Sequence, residues 1–166
     1  PLDTLGIYNV NTETLSKIPH LISYKIPEKW SDWLVYQHKT PQDTSLKKAK
    51  KISKKTGYEL IIGNLIDTAR YKYPFVKEYT LSEKGGKIAF TSSGDDAEFQ
   101  SGVYVFDTQK QSIQSIYVSK GIFKSLKWDE AGQHLSFVSD LDTTQSLNRY
   151  FNLHLWSIGD DTAETI

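Results

Sequence analysis

The chain has 166 residues, about one domain or part of one. Its 20 basic and 20 acidic residues cancel, which argues against a dedicated nucleic-acid or anionic-membrane binder. Cys is absent, so disulfides, thiolate zinc sites and a Cys nucleophile are excluded.

Only Arg70 and Arg149 among the basic residues are Arg, so the group best suited to gripping phosphate is nearly missing. The apolar fraction of 38% and aromatic fraction of 13% are enough for a packed core. The longest apolar stretches, such as Trp33-Leu34-Val35-Tyr36, are far short of the ~20 residues of a membrane span. The chain opens Pro1-Leu2-Asp3 without Met or a signal peptide and reads as a cut piece or a mature product.

In chain order, short runs rich in β-branched and aromatic residues recur between polar turns. They include Gly6-Ile7-Tyr8-Asn9-Val10, Glu59-Leu60-Ile61-Ile62, Lys87-Ile88-Ala89-Phe90 and Val103-Tyr104-Val105-Phe106. Leu135-Ser136-Phe137-Val138 and Leu153-His154-Leu155-Trp156 continue the series. Such runs have strand chemistry. No long window carries a helical stripe; the nearest, Ser45 to Lys55, is mostly Lys. The apolar runs are partly continuous, as expected of strands covered on both faces.

The chain matches itself. Residues 78–90 lie over 125–137 at an offset of 47 with no gap, with Gly85 over Gly132 and Phe90 over Phe137. The same window fits residues 23–35 at an offset of 55. Each match is strand, polar turn, strand. A third strand follows each, at Tyr58 to Asn64, Gly102 to Asp107 and Asn152 to Ser157. A fourth follows a small polar turn such as Asp107-Thr108-Gln109-Lys110. Four strands in ~45–55 residues is the spacing of a β-propeller blade. The expectation is therefore all-β: an incomplete β-propeller of about three and a half four-stranded blades and fourteen strands in one unit, 1–166. It parses into a half blade at 1–19 and blades near 21–73, 75–118 and 122–166, with a Lys-rich insertion at 40–57. Open blade faces at the two ends predict either a longer propeller or self-association.

Ser82-Glu83-Lys84-Gly85-Gly86-Lys87-Ile88-Ala89-Phe90, Asp129-Glu130-Ala131-Gly132 and Gly102-Val103-Tyr104-Val105-Phe106-Asp107 carry a family resemblance. They resemble the WD40-like blade repeats of the prolyl oligopeptidase and dipeptidyl peptidase IV propellers and of TolB-like propellers. The Lys-rich insert before Gly57 and the end Asn152-Leu153-His154-Leu155-Trp156 resemble large secreted bacterial members of the peptidase family. The resemblance implies a non-catalytic propeller that gates or binds peptide substrate over an α/β-hydrolase domain elsewhere in the parent. It also implies an extracytoplasmic address, periplasmic or secreted. The alternative it leaves is a protein-binding TolB-like scaffold with no hydrolase partner. The first blade departs from the motif, with Pro27 and Trp30 in place of the usual turn Ser and Gly.

Chemistry-bearing motifs are sparse. No Gly-x-Ser-x-Gly elbow exists, and Ser93-Gly94 lacks the leading Gly. No phosphate loop occurs. His20, His38, His134 and His154 have no zinc-ligand spacing, and the last two sit in strands as outward or satisfied side chains. Asp95-Asp96-x-Glu98 and Asp140-x-Asp142 fall after second strands and read as solvated turns. A calcium loop at Asp140-Leu141-Asp142-Thr143-Thr144 lacks its Gly and closing Glu. A grip on a substrate amino terminus by Asp95, Asp96 or Glu98 has no supporting motif. Lys47, Lys48, Lys50, Lys51, Lys54 and Lys55 form a charge run, read as a solvated insertion rather than a nucleic-acid patch. Trp33, Trp128 and Trp156 are expected to pack between blades. No catalytic, metal or cofactor residue is assigned, and the partners expected are peptide or protein.

Overall fold

The computed structural model describes residues 3–39, 57–95, 99–141 and 150–166. They form twelve strands and no helix: β1 (Asp3–Asn9), β2 (Thr14–Lys25), β3 (Trp33–His38), β4 (Tyr58–Asn64), β5 (Arg70–Leu81) and β6 (Lys87–Asp95) come first. β7 (Gln100–Asp107), β8 (Ser112–Val118), β9 (Ile122–Trp128), β10 (His134–Asp140), β11 (Asn152–Ser157) and β12 (Glu164–Thr165) follow. β1 to β8 form one sheet in chain order, and β9 to β12 form a second. Every pairing is antiparallel. No helix among the described residues is long and apolar enough to cross a membrane.

Fourteen strands were expected and the described residues form twelve, because two expected breaks are bends. β2 and β5 each run for 12 residues and turn at His20 (φ 58°) and Phe75 (φ 57°). Both bends lie at register shifts, where a bulge re-aims the strand without ending it.

The bends fold the large sheet into layers. Trp33, Val35, Leu60 and Ile62 of β3 and β4 pack on Ile88, Phe90, Tyr104 and Phe106 of β6 and β7. The opposite faces of β6 and β7, through Ala89, Val103 and Val105, pack on Phe123, Leu126, Leu135 and Phe137 of the second sheet. Leu34, Tyr36 and Ile61 on the other face of β3 and β4 pack on Ile18 of β2, with Leu5 and Ile7 of β1 alongside. Inner strands are thus covered on both faces, which explains their continuous apolar runs.

Two turn types recur. The Ser82 N–H donates to Lys87 O (2.8 Å), and the Ser82 hydroxyl accepts the Lys87 N–H (2.9 Å). Forty-seven residues on, Asp129 N–H donates to His134 O (3.0 Å), and the Asp129 carboxylate accepts the His134 N–H (3.0 Å). Gly85 (φ 81°) and Gly132 (φ 68°) hold the same left-handed position. The second turn type follows Asn9, Asn64 and Asp107. Each side-chain oxygen accepts the N–H groups two and three residues on. Glu13, Thr68 and Gln111, each four residues on, all have positive φ.

The first repeat needs a correction. Tyr79 pairs Phe90 and Thr80 pairs Ala89. Tyr24, however, pairs Tyr36 and Lys25 pairs Val35. The turn containing Pro27 and Trp30 is one residue longer, so the ungapped offset of 55 holds for the first strand only. A one-residue slip would exchange the two faces of β3.

Candidate functional site

A buried Ser–His pair is the nearest thing to catalytic geometry. Ser139 Oγ lies 2.7 Å from His154 Nε2, and Thr165 Oγ1 lies 3.1 Å from Nδ1. Antiparallel pairing of β10, β11 and β12 brings the three together. A nucleophile needs an access route and a base oriented by a third group, usually a carboxylate. Here the third group is a hydroxyl, and Ser139 and His154 are fully buried. The His154 ring stacks on Phe137 (4.8 Å, 14°) and lies 4.5 Å from the Tyr117 ring. Burial lowers the His154 pKa below its usual value. The imidazole is a core group with both nitrogens hydrogen-bonded.

That burial predicts a pH dependence. The unfolded chain takes up the His154 proton near pH 6.5, while the folded chain resists until lower pH. Stability from this group is therefore present above pH 6.5 and lost as pH falls toward the lowered folded value. Urea midpoints between pH 7.5 and 5 should decline, and His154→Leu should flatten that slope even though it lowers stability throughout.

The other histidines have structural partners or positions. His38 Nε2 meets Glu59 Oε2 at 3.0 Å, and His134 Nδ1 meets Asp129 Oδ2 at 3.0 Å. Backbone and side-chain hydrogen bonds from His134 pull the Asp129 pKa down to about 2. His20 marks the bend in β2. Among the described residues no three His, Asp or Glu side chains are grouped to hold a metal ion.

Of the acidic motifs, only Asp95 and Asp140 fall among the described residues. Asp140 is fully buried in β10. Asp142, Thr143, Thr144, Asp96, Glu98 and the Lys47–Lys55 run lie outside the described residues, and Asp95 ends β6. Ser93 and Gly94 are interior to β6, with Gly94 N–H donating to Ser92 Oγ (3.1 Å). Trp33 packs against Phe106 of β7 (5.7 Å) and Trp156 joins the cluster between the second sheet and β6–β7, so both serve packing between layers, whereas Trp128 meets Trp156 within the second sheet (6.2 Å, 75°).

Open grooves lie at two places among the described residues. One of about 500 Å³ runs between Lys87, Asp107, Gln114, Trp156, Asp160 and Asp161. Its polar groups satisfy one another: Lys87 Nζ donates to Asp107 (2.8 Å), and Gln114 and Trp156 both donate to Asp160 O. A second, of about 370 Å³, lies between residues 25–28 and 80–83. There Lys25 Nζ donates to Tyr79 O (2.9 Å) and sits 5.0 Å from the Tyr79 ring centre. Burial lowers the Lys25 pKa, opposed by the Glu78 carboxylate. Neither groove assembles a nucleophile, a base and an oxyanion donor.

Sequence reasoning missed the clasps between layers. Glu78 accepts the Ser125 N–H (2.8 Å) and the Leu126 N–H (3.0 Å). Gln37 Nε2 donates to Val76 O (2.9 Å). No local pattern announces such bonds, although Glu78 and Ser125 are repeat equivalents. Glu78→Ala strands two N–H donors and should cost ~2 kcal/mol in urea unfolding, with Glu78→Gln nearer ~1.

Comparisons with known proteins bear on the fold. The chain is similar to part of Pyrococcus horikoshii acylaminoacyl peptidase in its orthorhombic crystal form, with TM-score 0.55 and 15% identity. The match covers 89% of this chain and 24% of that one, so the chain spans about a quarter of the peptidase's length. The uncomplexed P. horikoshii enzyme matches with TM-score 0.52, 15% identity and the same coverage. The β-propeller domain of the Trilobed protease from Pyrococcus furiosus matches with TM-score 0.44 and 16% identity, over 89% of this chain and 56% of that one. No family model and no curated protein matches the sequence. The chain is an all-β fold similar to part of a peptidase.

Proposed function

We propose that the chain is a non-catalytic segment of a β-propeller belonging to a serine peptidase of the prolyl oligopeptidase class, and that it gates or binds peptide substrate. Dividing β2 and β5 at their bends turns the layers into two, four, four and four segments, the count of a half blade and three blades. The two turn types recur at the same points of successive layers, which supports the blade reading. The fold likeness to part of an acylaminoacyl peptidase is the single observation that carries the peptidase reading, alongside the blade motif. The closed Ser139–His154 pair agrees with chemistry housed elsewhere in the parent.

The test is to label the native protein containing these residues with a fluorophosphonate and map the modified serine. The reading predicts one labelled serine in the same polypeptide but outside residues 1–166. Label on Ser139, or no reactive serine anywhere in the polypeptide, overturns it; the latter result leaves a binding scaffold.

A further inference from the structure

We propose that Lys25 of β2 and Lys127 of β9, with Thr80 at the equivalent position of the intervening β5, form a binding site for a carboxylate. The segments after the two bends, 21–25 and 76–81, and β9 hold equivalent places. Lys25 pairs Val35, Thr80 pairs Ala89 and Lys127 pairs Ser136. Contacts across the layers draw the three segments together. Ser23 Oγ meets Tyr79 Oη at 3.0 Å, and Lys25 Nζ donates to Tyr79 O (2.9 Å). Glu78 in turn accepts the Ser125 and Leu126 N–H groups. Lys127 therefore comes within electrostatic reach of Lys25 across the middle segment, which carries only the short Thr80 at that position.

The two cations are under-matched by acids. The charged groups that act on the Lys25 amine are Glu78 and Lys127. Both Glu78 carboxylate oxygens already accept a backbone N–H. Lys127 is exposed and, among the described residues, has no ion-pair partner. An ammonium has three donors, and Lys25 spends one on Tyr79 O. Burial and the Lys127 charge both work against the Lys25 cation, and an anion seated on the two amines offsets both. Lys25 and Thr80 line the groove of about 370 Å³, which gives such a group room beside them. The same groove carries Glu28 and Glu83, the latter paired with Lys29. These acids repel a polyanion, so the ligand is a single carboxylate and not a nucleic-acid strand. The inference rests on the placement of these side chains and not on the peptidase reading. The fluorophosphonate result can fall either way without touching it.

The probe is N-acetyl-dialanine, titrated into the isotope-labelled chain while amide chemical shifts are followed. Residues 25–28, 80–83 and 126–128 should shift along one saturable curve, and the C-terminal amide of the same dipeptide should shift none of them. A second probe, N-acetyl-aspartyl-alanine amide, carries its carboxylate on a side chain. Binding of either supports the site, and the tighter of the two identifies the source of the group. Lys25→Gln and Lys127→Gln should each weaken binding at least ~tenfold, the scale of one charge-assisted hydrogen bond. Lys127→Gln should leave the thermal midpoint unchanged, because Lys127 is exposed. Lys110→Gln, in the other groove, should leave binding unchanged. No saturable shift with either carboxylate probe, an equal response to acid and amide, or full binding by both lysine variants overturns the inference. So does tighter binding of inorganic phosphate at these residues, which would make the ligand a phosphate.

Discussion

Gly132→Ala is expected to destabilise the fold by ~3 kcal/mol, whereas Gly85→Ala, at the equivalent place one repeat earlier, should cost only ~1–2 kcal/mol. Both glycines have positive φ, so both substitutions carry the left-handed penalty. They differ in what a methyl group would meet. At Gly85 the nearest atom is Gly132 O at 3.9 Å, an ordinary contact. At Gly132 the methyl would collide with the backbone carbonyl of Lys84, with Ser82 Cβ at 3.2 Å behind it. A backbone carbonyl cannot swing aside as a long side chain can. The collision falls where the turn of one sheet rests on the turn of the next, so relief requires the two sheets to part. Paired urea titrations read the difference directly. Equal losses at the two positions would mean that the turns do not touch.

Phe106→Ala should cost ~3–5 kcal/mol, the usual range for removing a fully buried aromatic ring. Phe106 is completely enclosed. Its ring lies 4.7 Å from Tyr71, 5.7 Å from Trp33 and 6.3 Å from Tyr73. Those neighbours come from β3 and β5, so the ring ties β7 to the layer in front of it. The rigid rings around it are poorly placed to collapse into the void, which sets the upper half of the range. Tyr8→Ala, on an exposed outer face, should stay within about 0.5 kcal/mol in the same assay. A small loss at Phe106 would indicate that the layers are not packed as described.

Much of this fold is legible in the sequence because its strands are short, aromatic and separated by polar turns. The ungapped match of residues 78–90 and 125–137 is also a match in space: Leu81 pairs Ile88 as Trp128 pairs Leu135. Two features were not legible. The bends at His20 and Phe75 each follow a proline, Pro19 and Pro74, and a proline in a strand-like run reads as a break between two strands as readily as a bend within one. The extra residue in the turn near Pro27 hides because Trp33 to Gln37 are all buried, and a run buried on both faces fits either register. The side-chain-capped turns at Asn9 and Asn64 could have been found. Asn9 and Thr14 bracket their turn with the same spacing as Asp107 and Ser112. The candidate site was less legible than the fold. His154 and Ser139 are ordinary strand residues in sequence and become a pair only through the register of β10 with β11.

The account stands on equivalent turns of successive layers lying side by side, and zero-length carbodiimide cross-linking with peptide mapping tests this most directly. Lys29 and Glu83 form an ion pair between the turn after β2 and the turn after β5. Lys87 and Asp107 form one within a single layer, 2.8 Å apart, and serve as the internal control. The prediction is that both amide links form in monomeric protein. A Lys87–Asp107 link without a Lys29–Glu83 link would contradict the stacking of the layers.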